Sequence, residues 1–198
     1  MYYIVGLGNP GEEYEGTRHN TGRIVLEYFQ KKNDFSDWEE NKKLRALVSK
    51  GKIKKEEVML LEPETFMNKS GGSLGSLITS VKKAEKLIVI QDDLDLGMGT
   101  IKISFNRGSG GHRGIESIMR AIKTEAFVRV RVGISPATPS GKLKKPHGDE
   151  IIGDFILAKF KKTEEDELKK VSKRVSEALE MIILESREKA MGEFNSGK

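Results

Sequence analysis

The sequence predicts a single α/β domain over residues 1–198, with a mixed, largely parallel central sheet flanked by helices and a long helix at the C-terminal end. Three observations predict it. Short apolar, β-rich runs alternate with stretches of helical periodicity along the whole chain. No internal repeat and no linker-like stretch divides them. A chain of 198 residues with 36% hydrophobic side chains has enough apolar material for one substantial core.

The first strand is read at residues 2–5, where Tyr2, Tyr3, Ile4 and Val5 run into Gly6. The turn Gly-Leu-Gly-Asn-Pro-Gly follows, and then a helix over Thr21–Lys32 with Ile24, Val25, Tyr28 and Phe29 on one stripe. A polar connection at 35–43 holds Trp38. Strands are expected at 44–48 and 58–61, with the turn Lys50-Gly51-Lys52 between them, either an exposed hairpin tip or a phosphate contact. From Pro63 the chain is read as entering a helix that runs to about Lys83. The apolar strand at 87–90 ends in Gln91-Asp92-Asp93-Leu94-Asp95, which puts carboxylates at its carboxyl end, the edge where ligands collect in α/β sheets. A strand at 100–105, a glycine-rich stretch at 107–114, a helix carrying Ile115, Ile118, Met119 and Ile122, and a strand at 127–134 with Arg129 and Arg131 on one side come next. Residues 136–146 form a Pro/Gly/Lys-rich loop, expected to be mobile. Thr163 and Asp166 resemble a capping box that opens the long helix, whose seam is Leu168, Val171, Val175, Ala178 and Ile182. Residues 192–198 are expected as a frayed polar tail.

The chemistry open to this chain is narrow. It has no cysteine, which removes disulfides and thiolate catalysis. The glycine turn reads literally as G-x-G-x-x-G, but Glu12, Glu13 and Glu15 stand where a pyrophosphate would dock. Ser109 lies in a glycine run with no nucleophile-elbow pattern. His19, His112 and His147 lack zinc-ligand spacing, and consecutive Asp92 and Asp93 point to opposite faces of a strand, so neither a metal nor a cofactor is expected. No window approaches a membrane span and Met1 leads straight into a strand, so a cytoplasmic protein is expected. A net charge of +5 points to a polyanionic partner, with Lys82, Lys83, Arg107, Arg113 and the lysines Lys142, Lys144 and Lys145 as candidate phosphate contacts. What remains is oxygen and imidazole chemistry. His19 is a candidate base activating water, Asp92 a candidate carboxylate orienting it, and Asn9 and Asn68 candidate amide donors to a carbonyl.

Four separated segments then coincide with one family. Ile4 to Gly11 with Tyr14 and Thr17-Arg18-His19-Asn20, then Phe66-Met67-Asn68-Lys69-Ser70-Gly71, then Asp92-Asp93-Leu94-Asp95-Leu96, then Gly110-Gly111-His112-Arg113-Gly114, resemble in content and order the signatures of bacterial-type peptidyl-tRNA hydrolase. The resemblance implies a monomeric, metal-independent hydrolase that cleaves the ester between peptide and tRNA and so recycles tRNA. It implies His19 as general base, Asp92 as its orienting carboxylate, Asn9 as the group that tells blocked from unblocked aminoacyl-tRNA, and Tyr14, Phe66 and Asn68 as lining for the tRNA end and peptide. One position departs: Arg113 stands where the family usually has asparagine. An arginine donates but does not accept hydrogen bonds, and it pairs with phosphate. His112 is expected to fix its loop by a hydrogen bond. The alternative is a non-catalytic RNA-binding relative that kept the cleft.

Overall fold

The central strands are apolar on consecutive residues because both faces of the sheet are covered. In the computed structural model, which describes residues 1–138 and 142–196, the strands are β1 (Tyr2–Gly6), β2 (Glu39–Asn41), β3 (Ala46–Ile53), β4 (Glu56–Pro63), β5 (Leu87–Gly97), β6 (Ile101–Phe105) and β7 (Val128–Ser135). They form one seven-stranded sheet in the order β2-β3-β4-β1-β5-β7-β6. The four central strands are parallel, and the antiparallel strands β2, β3 and β6 lie toward the edges. The helices are α1 (Thr21–Lys32), α2 (Val81–Ala84), α3 (Arg113–Ile122), α4 (Asp149–Leu157), α5 (Lys162–Leu184) and α6 (Arg187–Asn195). The mixed, largely parallel α/β architecture and the long C-terminal helix match the expectation from sequence.

Alternate residues of each central strand feed two cores. Ile4, Leu60, Ile88, Ile90, Val128 and Val130 pack under α1 and α5 with Val25, Phe29, Val171 and Val175. Val5, Leu61, Leu87 and Val89 pack on the opposite face with Leu74, Ile115 and Ile118. The chain leaves β1 through α1 to reach β4 on one side, and leaves β5 through α3 to reach β7 on the other. Its connections therefore diverge from the carboxyl ends of β1 and β5, which opens a crevice between these neighbours.

Several local expectations are corrected. Lys50, Gly51 and Lys52 lie within β3, and the reversal comes at Lys54, with φ 53°; the pairing of β3 with β4 runs on to Ile53 and Glu56. No continuous helix spans 63–83. Met67–Ser73 is a 3-10 segment and α2 is a single turn capped by Ser80, whose Oγ accepts from the Lys83 N–H. The small residues there serve contact: a side chain on Gly71 would run into the Ser117 carbonyl of α3. At the start of α5 the reciprocal cap comes from Glu164, whose Oε2 accepts from the Lys161 N–H at 2.7 Å, and not from Thr163 and Asp166. Asp92 and Asp93 lie inside β5, which extends past them to Gly97. Helix α4 was not anticipated. Of the expected mobile loop, residues 139–141 fall outside the described ones, and its flanks are joined by a bridge between Ala137 and Leu143.

The expected frayed tail is also corrected. Helix α6 continues to Asn195, Phe194 is buried, and Asn195 clasps the β6 edge by accepting from the Ile103 N–H at 2.7 Å and donating to the Ile103 carbonyl at 2.9 Å. The sequence pattern was too polar to reveal one aromatic and one amide closing a sheet edge. Residues 197 and 198 lie outside the described ones. Phe194→Ala is expected to cost about 3 kcal/mol of stability, read as a lower urea midpoint; an unchanged unfolding curve would show that this end of α6 is not part of the core.

Candidate active site

The loop after β1 carries Asn9, and almost every polar atom of that residue is committed. Its N–H donates to Asn20 Oδ1 at 2.8 Å, and its carbonyl accepts from Asn20 Nδ2 at 2.9 Å. Its side-chain Oδ1 accepts from the Met67 N–H at 2.8 Å. That bond fixes which end of the amide is oxygen, and it leaves the Nδ2 hydrogens as the donors Asn9 has to offer the crevice.

His19 sits in the 3-10 turn Arg18–Asn20 that leads into α1. Arg18 holds this turn. Its guanidinium donates to the carbonyls of Ala158 at 3.2 Å and Lys159 at 2.9 Å and pairs with Glu164 at 2.7 Å, and it lies over the rings of Phe155 and Phe160. Gly22 lets the first turn of α1 come down on the sheet, since a side chain there would strike the Ile90 carbonyl and the Leu7 backbone. The absent side chain at this position is what permits the close approach of helix to sheet.

His19 Nδ1 lies 2.9 Å from Asp92 Oδ1. The same oxygen is 3.2 Å from His112 Nε2. His112 is the N-cap of α3, its Nδ1 accepting from the Gly114 N–H at 3.2 Å. An Nδ1 that accepts requires the proton of a neutral imidazole on Nε2, so His112 donates to Asp92. With Nδ1–H of His19 donating to the same carboxylate, His19 Nε2 is left as the basic nitrogen. Burial pushes the Asp92 carboxyl up, but the two imidazoles outweigh it and hold the group well below the usual carboxylate range. For His19, burial pushes downward, and the charge and hydrogen bond of Asp92 outweigh it; Arg113 opposes them, and the net direction is up from 6.5. His19, Asp92 and His112 are the cluster of ligand-type groups found among the described residues, and they are hydrogen-bonded to one another through Asp92 Oδ1.

These groups open into a cleft of about 600 Å³, lined by Asn9, His19, Phe66, Asn68, Asp92 and Arg113 of the residues singled out from sequence. Tyr14 does not line it; its ring meets Phe66 edge-on at 6.3 Å and supports that exposed side chain from behind. Asp93 and Asp95 also line the cleft and pair with Arg131 and Lys145. Sequence reasoning missed the opposite wall, Ile152, Ile156 and Leu157 of α4. The i, i+4 spacing of Ile152 and Ile156 was a usable signal, obscured by Gly148 and Gly153. It also missed that His112 reaches Asp92, since nothing in spacing brings the two together.

The electrostatics give a measurable consequence. The His19 ring is expected to titrate above 6.5, so Nε2 becomes available only as pH rises through a midpoint higher than that of a free imidazole. Arg113→Ala, which removes the opposing charge, is expected to move the midpoint further up in an NMR titration. An unchanged midpoint would show that Arg113 does not act on His19.

The profile of the Peptidyl-tRNA hydrolase family matches residues 3–198. A peptidyl-tRNA hydrolase of a Thermoanaerobacter species is 40% identical over 196 residues, covering 98% of this chain and 100% of the relative. Another, from Carboxydothermus hydrogenoformans, is 37% identical over 199 residues, covering 100% of each. A crystal structure of peptidyl-tRNA hydrolase from Acinetobacter baumannii superposes with a TM-score of 0.86 at 29% identity, covering 99% of this chain and 95% of that one. Sequence and fold agree over essentially the full length, and the chain belongs to the peptidyl-tRNA hydrolase family.

Proposed function

We propose that the cleft hydrolyses the ester bond between the peptide and the tRNA of peptidyl-tRNA, with His19 as general base. The observation that carries this reading is the pairing of His19 Nδ1 with Asp92, which leaves Nε2 basic in a cleft that also holds the Asn9 amide. In the step envisaged, His19 Nε2 takes a proton from water while the water oxygen attacks the ester carbonyl carbon. The tetrahedral intermediate collapses by breaking the bond to the ribose oxygen. His19 returns the proton to that oxygen, releasing tRNA and a peptide carboxylic acid, which loses its remaining proton to solvent. Asp92 stabilises the imidazolium that forms in between, a charge that exists only after proton transfer begins.

The other lining residues take roles consistent with their placement. The Nδ2 donors of Asn9 are suited to the carbonyl of an N-blocked residue, a group that a free aminoacyl ester lacks. Asn68 is exposed at the cleft and supplies a second neutral amide. Phe66 offers a ring for the planar groups of the tRNA end, braced by Tyr14. Arg113, exposed on the lining, is suited to a phosphate of the acceptor end. The same reading has the chain act in the cytoplasm as a monomer. The non-catalytic alternative has less support, because a protein that only docks RNA has no use for a buried, charge-oriented imidazole.

Hydrolysis of N-acetyl-aminoacyl-tRNA beside its unblocked counterpart is the direct test. His19→Ala is expected to remove most turnover with the fold intact, and Asp92→Asn to lower kcat by roughly 10²–10⁴; full activity in His19→Ala would refute the assignment. Affinity for tRNA is expected to fall steeply between low and moderate salt as phosphate contacts release counterions, and salt-insensitive binding would count against a phosphate role for Arg113 and its basic neighbours.

A further inference from the structure

Behind Asn9 lies a buried ionic group that the reaction itself does not use. Arg23, on the first turns of α1, is almost wholly enclosed and makes three contacts in different directions. Its Nη1 donates to the Asn9 carbonyl at 3.1 Å, its Nε pairs with Glu62 Oε2 at 3.2 Å, and its Nη2 pairs with Glu64. Its aliphatic stem fills the space beside Gly8, where a side chain would come within 2.6 Å of Arg23 Cδ.

These contacts close a loop of connections. Glu62 is near the end of β4, and Glu64 follows on the stem that delivers Met67. Met67 in turn supplies the N–H that holds the Asn9 side chain. One guanidinium thus fixes the Asn9 main chain and, through two carboxylates, the segment that orients the Asn9 amide. We propose that Arg23 is a positioning residue for Asn9: by tying the Asn9 carbonyl to Glu62 and Glu64 it sets the distance between the Asn9 loop and the Met67 N–H, and with it the aim of the Asn9 donors into the cleft. Planarity and five fixed donors suit arginine to this three-way junction, and a lysine ammonium does not match it.

Removal of Arg23 does not strand a fixed charge. Burial, with the charges of Glu27 and Glu64, pushes the Glu62 carboxyl up to about 7 against the pull of Arg23, so without Arg23 the group takes up a proton.

This inference rests on the reading of Asn9 as the group that recognises the blocked amino acid, and the test separates the two. Arg23→Met, Asn9→Ala and the double variant are compared on N-acetyl-aminoacyl-tRNA and on unblocked aminoacyl-tRNA. Arg23→Met is expected to lower the blocked-to-unblocked ratio of kcat/KM roughly tenfold or more, the scale of loss from a small misplacement. In the Asn9→Ala background it is expected to cost little further, because its effect passes through Asn9. A wild-type ratio in Arg23→Met, or an equal loss with and without Asn9, overturns the role of Arg23. An unchanged ratio in Asn9→Ala overturns the reading of Asn9 and this inference with it. If Arg23→Met does not fold, Arg23→Met/Glu62→Leu, which removes the buried pair together, is read by the same criteria.

Discussion

One oxygen atom organises this fold. Asp92 Oδ1 is buried and faces two imidazoles, and a buried carboxylate is tolerated only when its charge is met by hydrogen-bond donors. The donors arrive from opposite sides of the sheet, His19 from the turn before α1 and His112 from the cap of α3. Both helices must therefore begin at the carboxyl end of β5. The diverging connections of a parallel sheet meet that demand, because the crevice between β1 and β5 is the place where chain from both faces can reach one strand.

The polar groups around this oxygen are used with economy. Three of the four hydrogen-bonding groups of Asn9 are spent on Asn20 and Met67, the Nδ1 of His112 on α3, and the Nδ1 of His19 on Asp92. What faces the cleft is the remainder, a donor pair on Asn9 and an acceptor on His19. Orientation is thus set by subtraction. Such a site needs no reorganisation when charge develops, which is where preorganised dipoles gain over solvent.

The alternation of strands and helices could be read from sequence, because covered parallel strands leave continuous apolar runs and α1 and α5 carry clear stripes. Asn9, His19, Phe66, Asn68, Asp92 and Arg113 were named and do share one cleft. What could not be read has physical causes. The segment after β4 is rich in small residues that suit a helix opening equally well, and only contact with α3 decides for a 3-10 path. Arg18 and Arg23 look like surface charge in a chain with a third of its residues charged, and their burial follows from carboxylates distant in sequence. Helix α4 packs too little apolar surface against the rest to leave a strong stripe.

Helix α4 contributes no fully buried residue. It is secured at its ends, by the Arg18 contacts to Ala158 and Lys159 beyond its last turn and by Lys145 pairing with Asp95 before its first. Ile152, Ile156 and Leu157 face the cleft rather than a core. Their identities are consequently cheap for the fold to change, whereas the buried Arg18 anchor is not. That wall of the cleft can therefore change in shape and polarity while the His19–Asp92 pair and the buried groups behind it stay as they are.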